Sequence, residues 1–308
     1  MAKLKDLAAM EDRLVAGHGM CLGCGIPLIF KILLRATEDP VIIANATGCL
    51  EVCTTIFPRT AWNTTWIHSA FENAAATIAG VESMYKSLKR NGKIPEDKKI
   101  KFLGVGGDGG TYDIGLQALS GAMERGHDIV YVCYDNNAYA NTGGQRSSAT
   151  PLGASATTSP AGTKSYGKVQ PRKDLTRIMA AHNVPYVAQT SPHRWQDLYN
   201  KAKKAFDTEG PAFLNIFCPC PTEWKYDESQ SIRLAQLAAE TCVWPLFEVE
   251  NGKYKINYKP KEKKPVLEWL KLQGRFRHLF KEENAGVVEE IQRQVDEYWD
   301  ELNKLANL

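Results

Sequence analysis

Two polar residues of the sequence stand where a hydrophobic segment of strand length ends. Asp108 lies inside GGDGG (106–110), directly after IKFLGV (100–105), and Asn136 follows IVYVCYD (129–135). In an open parallel sheet, ligands bind at the carboxyl ends of the strands. Glycines there let the backbone approach a phosphate, and a carboxylate supplies the hard oxygen that Mg²⁺ prefers. The pattern therefore predicts that Asp108 and Asn136 face one small volume that suits a magnesium-bound diphosphate.

The eight cysteines are the second set of candidate ligands. Cys133 and Cys242 lie in hydrophobic sequence and are expected to be single buried thiols. The other six lie in a C-x-x-C motif or near predicted strand ends: Cys21, Cys24, Cys49, Cys53, Cys218 and Cys220. Four thiolates from such segments suit zinc or an iron–sulfur cluster, and the spacing does not decide between them. A redox-active dithiol at the C-x-x-C motif is a further interpretation.

Hydrophobic segments of strand length recur along the chain without alternating polar residues, which is typical of strands buried on both faces of a parallel sheet. They are VIIANA (41–46), IKFLGV (100–105), IVYVCYD (129–135), VPYVAQ (184–189) and AFLNIFC (212–218). Helical patterns such as AFENAAATIAGVESMYKSLKR and WQDLYNKAKKAFD lie between them. The alternation predicts an α/β fold with a doubly wound, mostly parallel sheet over roughly residues 15–225.

Two regions interrupt this alternation. Residues 136–172 form a long segment rich in Gly, Ser, Thr and Pro, which is usually functional or disordered when it lies inside a domain. After Thr222 the alternation is lost, so we predict an α/β domain over residues 1–225 and a C-terminal extension over 226–308 that packs on partner subunits. The extension ends in a helical pattern whose hydrophobic stripe suits core packing or a partner surface: Val288, Ile291, Val295, Tyr298, Trp299 and Leu302.

The composition of the 308 residues restricts the class of protein. The net charge is +3 with acidic and basic residues interspersed, which argues against a nucleic-acid-binding face. No window of about 18 apolar residues is present, and the N-terminal segment lacks the hydrophobic region of a secretion signal. We therefore expect a cytoplasmic protein whose cysteines are reduced or bound to metal.

Asp108 and Asn136 also stand at the spacing of a cofactor motif. The segment from Gly107-Asp108-Gly109 to Asn136-Asn137 resembles the thiamine-diphosphate signature, which runs from GDG to NN over about thirty residues. A dinucleotide site is the competing interpretation. It is disfavoured because G-x-G-x-x-G is not matched cleanly and no obvious ribose-binding acid follows the next strand.

Several ordered motifs carry a resemblance to one enzyme family: CLGCG, ATGCLEV, AFENAAA, GDGGTYDIGLQALSGAMERG, YDNNAYANTGGQRSSATP and CPCPTEW. Over roughly residues 16–225 the chain resembles the β subunit of pyruvate:ferredoxin oxidoreductase and its 2-oxoacid relatives. The resemblance implies a thiamine-diphosphate-dependent catalytic subunit. Its reaction would be the oxidative decarboxylation of pyruvate to acetyl-CoA and CO₂, with electrons passing through a 4Fe–4S cluster to ferredoxin.

The resemblance also implies site residues. One 4Fe–4S cluster would be bound by Cys21, Cys24, Cys49 and Cys220. Mg²⁺ would be bound by Asp108, the Asn136 side chain and the Ala138 carbonyl. The diphosphate would lie against Gly107 and Gly109, with Thr142 and Gly143 close to it. Asn141 would hydrogen-bond the substrate carboxylate or its first adduct. Cys53 and Cys218 have no ligand counterpart in the family.

Companion chains are implied by what the sequence lacks. Thiamine enzymes need a second domain that grips the pyrimidine and supplies an activating glutamate. In the family this domain belongs to the α subunit, so we interpret Glu72 as structural. The sequence has no ferredoxin-type C-x-x-C-x-x-C motif, so we expect further clusters on a ferredoxin-like subunit, with ferredoxin as the acceptor.

Two departures from the family pattern leave the substrate open. Arg59 in PRTAWNTTW stands where an aromatic residue is expected, and Asn137 stands where D-N-E-A-Y has Glu. Near the pocket, both changes would favour a more negative substrate. Oxalate, oxidised without coenzyme A, is therefore an alternative to pyruvate, and phenylglyoxylate is a weaker one. A zinc-stabilised non-catalytic subunit and a non-redox thiamine decarboxylase are alternatives of another class.

Overall fold

One mixed sheet organises residues 3–308, the part of the chain that this computed structural model describes. The strands are β1 (Val41–Ala46), β2 (Thr65–Ser69), β3 (Lys101–Gly107), β4 (Val130–Asp135), β5 (Ala161–Gly162), β6 (Ser165–Tyr166), β7 (Tyr186–Thr190), β8 (Ala212–Phe217), β9 (Phe247–Glu250) and β10 (Lys253–Ile256). Eight of them form the sheet, in the order β10-β9-β7-β8-β4-β3-β1-β2, and β5 pairs with β6 separately. The pairings between β7 and β2 in this order are parallel, whereas β9 pairs antiparallel with β7 and β10.

Helices connect the strands and cover the sheet. They are α1 (Leu4–Ala9), α2 (Gly25–Leu34), α3 (Cys49–Thr54), α4 (Ala74–Arg90), α5 (Leu116–Glu124), α6 (Leu175–Ala180), α7 (Trp195–Asp207), α8 (Pro221–Trp224), α9 (Ser231–Glu240), α10 (Val266–Leu270) and α11 (Ala285–Leu305). A π-helical turn spans Gly109–Ile114, and 3-10 turns span Pro192–Arg194, Glu228–Gln230, Gly274–Phe280 and Glu282–Asn284. None of the described helices is long and apolar enough to cross a membrane.

The central strands are continuously hydrophobic because both of their faces are covered. Every residue of β4 and β8 is buried. Successive side chains of a strand point to opposite faces. On β4, Val132 packs in the core cluster that contains α2 and α7, whereas Tyr131 packs in the cluster that contains α4 and α5. The predicted doubly wound α/β fold with a mostly parallel sheet is confirmed.

Three strands of the sheet were not predicted, namely β2, β9 and β10. β2 lies at the edge and leaves much of its surface exposed, so its sequence is not continuously hydrophobic. The predicted strand at 184–189 begins two residues later, at Tyr186. Pro185 precedes it, and a proline has no N–H to donate to a neighbouring strand.

Residues 226–308 continue this fold. β9 and β10 form a hairpin whose turn, Asn251-Gly252, has positive φ angles of 49° and 79°, as Asn-Gly hairpin turns require. On α11, Ile291 and Leu302 are buried in the chain's own core. The predicted boundary at residue 225 therefore does not coincide with a break in the sheet. Packing of this extension on partner subunits stays a prediction.

Candidate active site

A cavity of about 200 Å³ opens at the carboxyl ends of β1, β3 and β4. It is lined by Thr47, Gly48, Cys49, Phe71, Gly107, Gly109, Gly110, Tyr134, Asn136, Ala138, Tyr139, Ala140, Asn141 and Thr142. Six residues predicted to contact the cofactor, its metal or the substrate are in this lining: Gly107, Gly109, Asn136, Ala138, Asn141 and Thr142. Parallel strands end at one edge of the sheet, and this brings together segments that are far apart in sequence.

Asp108 lies behind the cavity wall and is fully buried. Its Oδ1 accepts a hydrogen bond from the backbone N–H of Asn136 at 3.2 Å, and its Oδ2 accepts one from the Ser147 hydroxyl at 2.5 Å. Burial, and next the charge of Asp135, raises the pKa of Asp108 well above its usual value. A buried carboxylate without a cationic partner is costly, so this position favours a bound cation.

The Asp108 carboxylate, the Asn136 side-chain amide and the Ala138 carbonyl meet at one point. The amide oxygen of Asn136 lies 2.8 Å from the Ala138 carbonyl oxygen and 2.9 Å from Asp108 Oδ1. If the amide is rotated, its NH₂ group donates hydrogen bonds to both oxygens instead. Adjacent oxygen ligands of an octahedral Mg²⁺ with bonds of about 2.0–2.1 Å lie about 2.9 Å apart. The donor set and its spacing therefore fit Mg²⁺.

The glycines around Asp108 make room for aromatic rings. A Cβ on Gly109 would lie 2.6 Å from the Tyr139 ring, and a Cβ on Gly107 would lie 3.1 Å from the Tyr134 ring. Neither glycine has a positive φ, so the need is space and not backbone conformation. The approach of a phosphate is therefore one of two reasons for glycine at these positions. The structure adds a packing reason for the same glycines.

A tight loop after β4 presents the predicted substrate-side residues. The Tyr139 N–H donates to the Gln145 carbonyl at 2.9 Å, and the Tyr139 hydroxyl donates to Asp113 at 3.1 Å. Within this turn Asn141 and Thr142 are exposed at the cavity. Gly143, with φ of 102°, turns the chain and is not part of the cavity lining. The loop holds Asn141 at the cavity while leaving its side chain free of the core.

Six cysteines form a group at the same edge of the sheet: Cys21, Cys24, Cys49, Cys53, Cys218 and Cys220. Burial, followed by the charges of Cys220 and Cys24, raises the pKa of Cys49, and burial raises that of Cys220 to about 12. A hydrogen bond from Cys218 lowers the pKa of Cys24. Cys133 and Cys242 are single buried thiols, as predicted.

The cysteine group adjoins the cavity through Cys49, which lines it. Cys49 begins α3, while Cys24 and Cys220 directly precede α2 and α8. Within residues 3–308, no three His, Cys, Asp or Glu side chains meet closely enough to hold a single metal ion. An iron–sulfur cluster is a larger ligand, because each of its irons takes its own thiolate.

The two departures from the family pattern lie outside the cavity lining. Arg59 is exposed. Asn137 is buried, with φ of 62°, and its side chain donates to Asp135 at 2.7 Å and accepts from Arg275 at 3.1 Å. Glu72 is also exposed and outside the lining. Neither departure therefore supplies a contact that would select a more negative substrate in this cavity.

Sequence reasoning missed several residues of the site. Thr47, Gly48 and Phe71 follow β1 and β2, and they line the cavity. Ser147 donates to Asp108, and Arg172 pairs with Asp135 at 2.5 Å. The polar Thr-Gly step after VIIANA was a usable signal, because it stands at the end of a predicted strand. The contacts of Ser147 and Arg172 had no local signal.

Comparison with known proteins places these features in a family. The model "Thiamine pyrophosphate enzyme, C-terminal TPP binding domain" matches residues 46–216. The chain is 52% identical to pyruvate synthase subunit PorB of Methanocaldococcus jannaschii, over 93% of this chain and 95% of that protein. It is 48% identical to PorB of Thermotoga maritima, over 99% and 97%. It is 43% identical to ketoisovalerate oxidoreductase subunit VorB of Pyrococcus furiosus, over 97% and 94%.

A solved structure supports the fold. It is 2-oxoglutarate:ferredoxin oxidoreductase from Magnetococcus marinus, solved with 2-oxoglutarate, coenzyme A and succinyl-CoA bound. The TM-score is 0.55 at 21% identity, over 72% of this chain and 77% of the other. At that identity the likeness concerns the α/β architecture alone.

Proposed function

The chain belongs to the family of PorB-type β subunits of 2-oxoacid:ferredoxin oxidoreductases, and on that premise we propose that it is the thiamine-diphosphate-binding subunit of a pyruvate-oxidising enzyme. The reaction is the oxidative decarboxylation of pyruvate to acetyl-CoA and CO₂, with ferredoxin as the electron acceptor. One observation carries the proposal. The Asp108 carboxylate, the Asn136 side-chain amide and the Ala138 carbonyl meet next to a cavity that is also lined by Cys49 of the cysteine group.

The cofactor is held by the edge of the sheet. Thiamine diphosphate, when bound, supplies the electron sink for loss of CO₂. We propose that Asp108, Asn136 and the Ala138 carbonyl bind Mg²⁺, with the diphosphate against Gly107 and Gly109. Thr142 lines the cavity and Gly143 continues the same loop, which suits further contacts with the diphosphate.

Asn141 acts on the substrate side. Its amide is at the cavity on a loop fixed by the Tyr139–Gln145 backbone hydrogen bond. A preorganised amide donor stabilises an oxyanion best where the surrounding structure already holds it in place. We propose that Asn141 hydrogen-bonds the substrate carboxylate and restricts its orientation before CO₂ leaves.

The cysteine group binds a 4Fe–4S cluster in this proposal, through Cys21, Cys24, Cys49 and Cys220. Support comes from their mutual electrostatic interaction, which disfavours four bare thiolates and so favours a bound positive centre. Cys49 brings the group to the cavity, so a cluster held there would lie beside the cofactor site and would supply an electron acceptor. Cys53 and Cys218 stay beside the ligands and are not needed as ligands.

Companion subunits complete the enzyme. We propose an α subunit with the pyrimidine-binding domain and a ferredoxin-like subunit with further clusters. The names of the relatives describe subunits, which supports an assembly. We also propose a cytoplasmic location, supported by the reduced state expected of eight free cysteines.

Pyruvate is the proposed substrate because relatives named for pyruvate synthase share 45–52% identity with the chain. The ketoisovalerate relative, at 43%, makes a branched 2-oxoacid the second candidate. Oxalate and phenylglyoxylate are less favoured, since Arg59 and Asn137 lie outside the cavity lining.

The anaerobically purified complex tests the proposal. Reduction of ferredoxin or a viologen dye is followed with pyruvate plus coenzyme A, with ketoisovalerate plus coenzyme A, and with oxalate or phenylglyoxylate. Pyruvate plus coenzyme A should give the highest kcat/KM, and omission of coenzyme A should abolish turnover. Turnover of oxalate without coenzyme A would overturn the substrate. Elemental analysis of the same sample should find iron and not zinc at the cysteine group.

A further inference from the structure

Arg275 is a buried cation whose hydrogen-bond partners are neutral. The residue is 4% exposed. Its Nε donates to Gln273 Oε1 at 2.9 Å, and its Nη2 donates to Asn137 Oδ1 at 3.1 Å. Its guanidinium carbon lies 4.0 Å from the centre of the Trp224 ring. Burial lowers the pKa of Arg275 to about 9, which leaves the side chain cationic at neutral pH.

Among the described residues no carboxylate forms an ion pair with Arg275, although Glu223 lines a cavity with it. Asp135 pairs with Arg172 at 2.5 Å and accepts from the Asn137 amide at 2.7 Å. Asp108 belongs to the proposed magnesium site. Asn137 is neutral at the position where the family pattern has Glu. A buried guanidinium is costly unless an anion compensates its charge. Arg275 therefore has a charge that no direct ion pair compensates.

Cys220 of the cysteine group lies in a segment that contacts Arg275. After burial, the electrostatic interaction with Cys220 has the largest effect on the pKa of Arg275. Direct contacts link Cys220 to Arg275 through Trp224. The backbone N–H of Trp224 donates to the Cys220 carbonyl at 3.0 Å, and Arg275 stacks on the Trp224 ring. Cys220 and Trp224 thus belong to one short segment, residues 220–225. The Gly274 N–H fixes Arg275 to that segment by donating to the Lys225 carbonyl at 3.0 Å.

We propose that Arg275 is a positioning residue for electron transfer, whose charge stabilises the reduced cluster at Cys220. The inference rests on the proposed function, since it needs that cluster. A cluster bound there would gain one negative charge on one-electron reduction. A cation in a water-poor environment favours that state and raises the reduction potential. Asn137 bonds this cation without adding a negative charge, whereas a carboxylate at the same position would weaken its effect.

The test measures the reduction potential of the cluster in the intact complex, by redox titration followed by electron paramagnetic resonance. The signal of interest is the one absent from Cys220→Ala. The variants are Arg275→Met, Arg275→Lys, Asn137→Glu and Asn137→Gln. Asn137→Gln is the matched control for Asn137→Glu, because both place a side chain of equal size at φ of 62° and only one adds a charge.

Arg275→Met and Asn137→Glu should lower the ratio of reduced to oxidised cluster at a fixed potential by about tenfold, which equals about 59 mV for one electron. Arg275→Lys and Asn137→Gln should shift it much less. Equal shifts for Asn137→Glu and Asn137→Gln, or no shift for Arg275→Met at full iron content, would overturn the proposal. If unmodified complex lacks a signal that depends on Cys220, the proposed function fails instead, because there is no cluster at that cysteine.

Discussion

The indole Nε1 of Trp224 donates a hydrogen bond to the backbone carbonyl oxygen of Asn136 at 2.7 Å. Asn136 directly follows β4, and Trp224 ends α8, which begins after Cys220 and β8. The bond therefore ties the segment of a proposed magnesium ligand to the segment of a proposed cluster ligand. Because both groups are buried, the carbonyl would have no water to replace the indole.

Replacement of Trp224 by Phe should lower the free energy of unfolding by about 1–3 kcal/mol, the cost of an unsatisfied buried group. It should also weaken retention of thiamine diphosphate, since Asn136 loses a constraint. Denaturant titration and cofactor analysis measure the two effects. Trp244→Phe is the control, because its indole donates to the Thr190 carbonyl at 2.9 Å. Equal cofactor loss in both variants would contradict the specific link to Asn136.

Asp108→Asn should reduce Mg²⁺-dependent retention of thiamine diphosphate by more than about tenfold, the lower end of the effect of removing even an outer-shell partner of a metal. The variant keeps the size of the side chain and removes the charge that compensates the cation. Equilibrium dialysis at several Mg²⁺ concentrations measures the retention of thiamine diphosphate. Asp207→Asn, on an exposed ion pair with Lys203, should behave as the unmodified protein. Unchanged retention in Asp108→Asn would remove Asp108 from the metal site.

Gly109→Ala should lower the free energy of unfolding by about 1–3 kcal/mol, because its Cβ would lie 2.6 Å from the Tyr139 ring. Gly80→Ala is the control, since nothing lies within 4 Å of a Cβ there and the position is inside α4. In a helix, alanine is more favourable than glycine by about 1 kcal/mol, so this control should gain stability. Thermal unfolding compares the two, and equal effects would refute the packing argument.

Cys220→Ala should lose the iron of the cysteine group, because a 4Fe–4S cluster needs one thiolate for each iron. Cys53→Ala and Cys133→Ala should keep it. Cys133 is buried in β4 and serves as a matched control for loss of a thiol. Iron and acid-labile sulfide per complex are the measurements. Loss of iron from Cys53→Ala with retention in Cys220→Ala would show that the ligand set is assigned wrongly.

Glu248 should make the docking of the C-terminal extension sensitive to acid. Burial tends to raise its pKa, but hydrogen bonds from Tyr186, Asn257, Lys255 and Lys204 outweigh burial and lower the pKa to about 2. A carboxyl whose pKa falls on folding stabilises the native state above its unfolded pKa of about 4.5, and this stability is lost as the pH falls toward 2.

Unfolding followed between pH 7 and pH 3 tests this dependence. Glu248→Gln should lose about 1–3 kcal/mol near neutral pH, the contribution of hydrogen bonds to a charged group. It should also have a weaker dependence on pH below about 4.5 than the unmodified chain. Glu297→Gln, on the exposed side of α11, should leave the dependence unchanged. An identical pH profile for Glu248→Gln and the unmodified chain would contradict the assignment.

Local patterns in the sequence determined the parallel part of the fold. Strands that are buried on both faces are hydrophobic throughout, and this pattern is visible in the sequence. The five segments predicted from it correspond to β1, β3, β4, β7 and β8. The same logic placed Asp108 and Asn136 together, because each directly follows or ends such a strand. The Asn251-Gly252 turn was also a readable signal for the β9–β10 hairpin, although it was not used.

The sequence by itself thus determined the fold class and the residues at the sheet edge, since both follow from local hydrophobic patterns and from the points where the predicted strands end. Only the tertiary structure decided what the other side chains face. Asn137 bonds Arg275, which is 138 residues away, and so points away from the cavity. Ser147 reaches Asp108 across 39 residues. Such contacts depend on how distant segments pack, and no local periodicity encodes them.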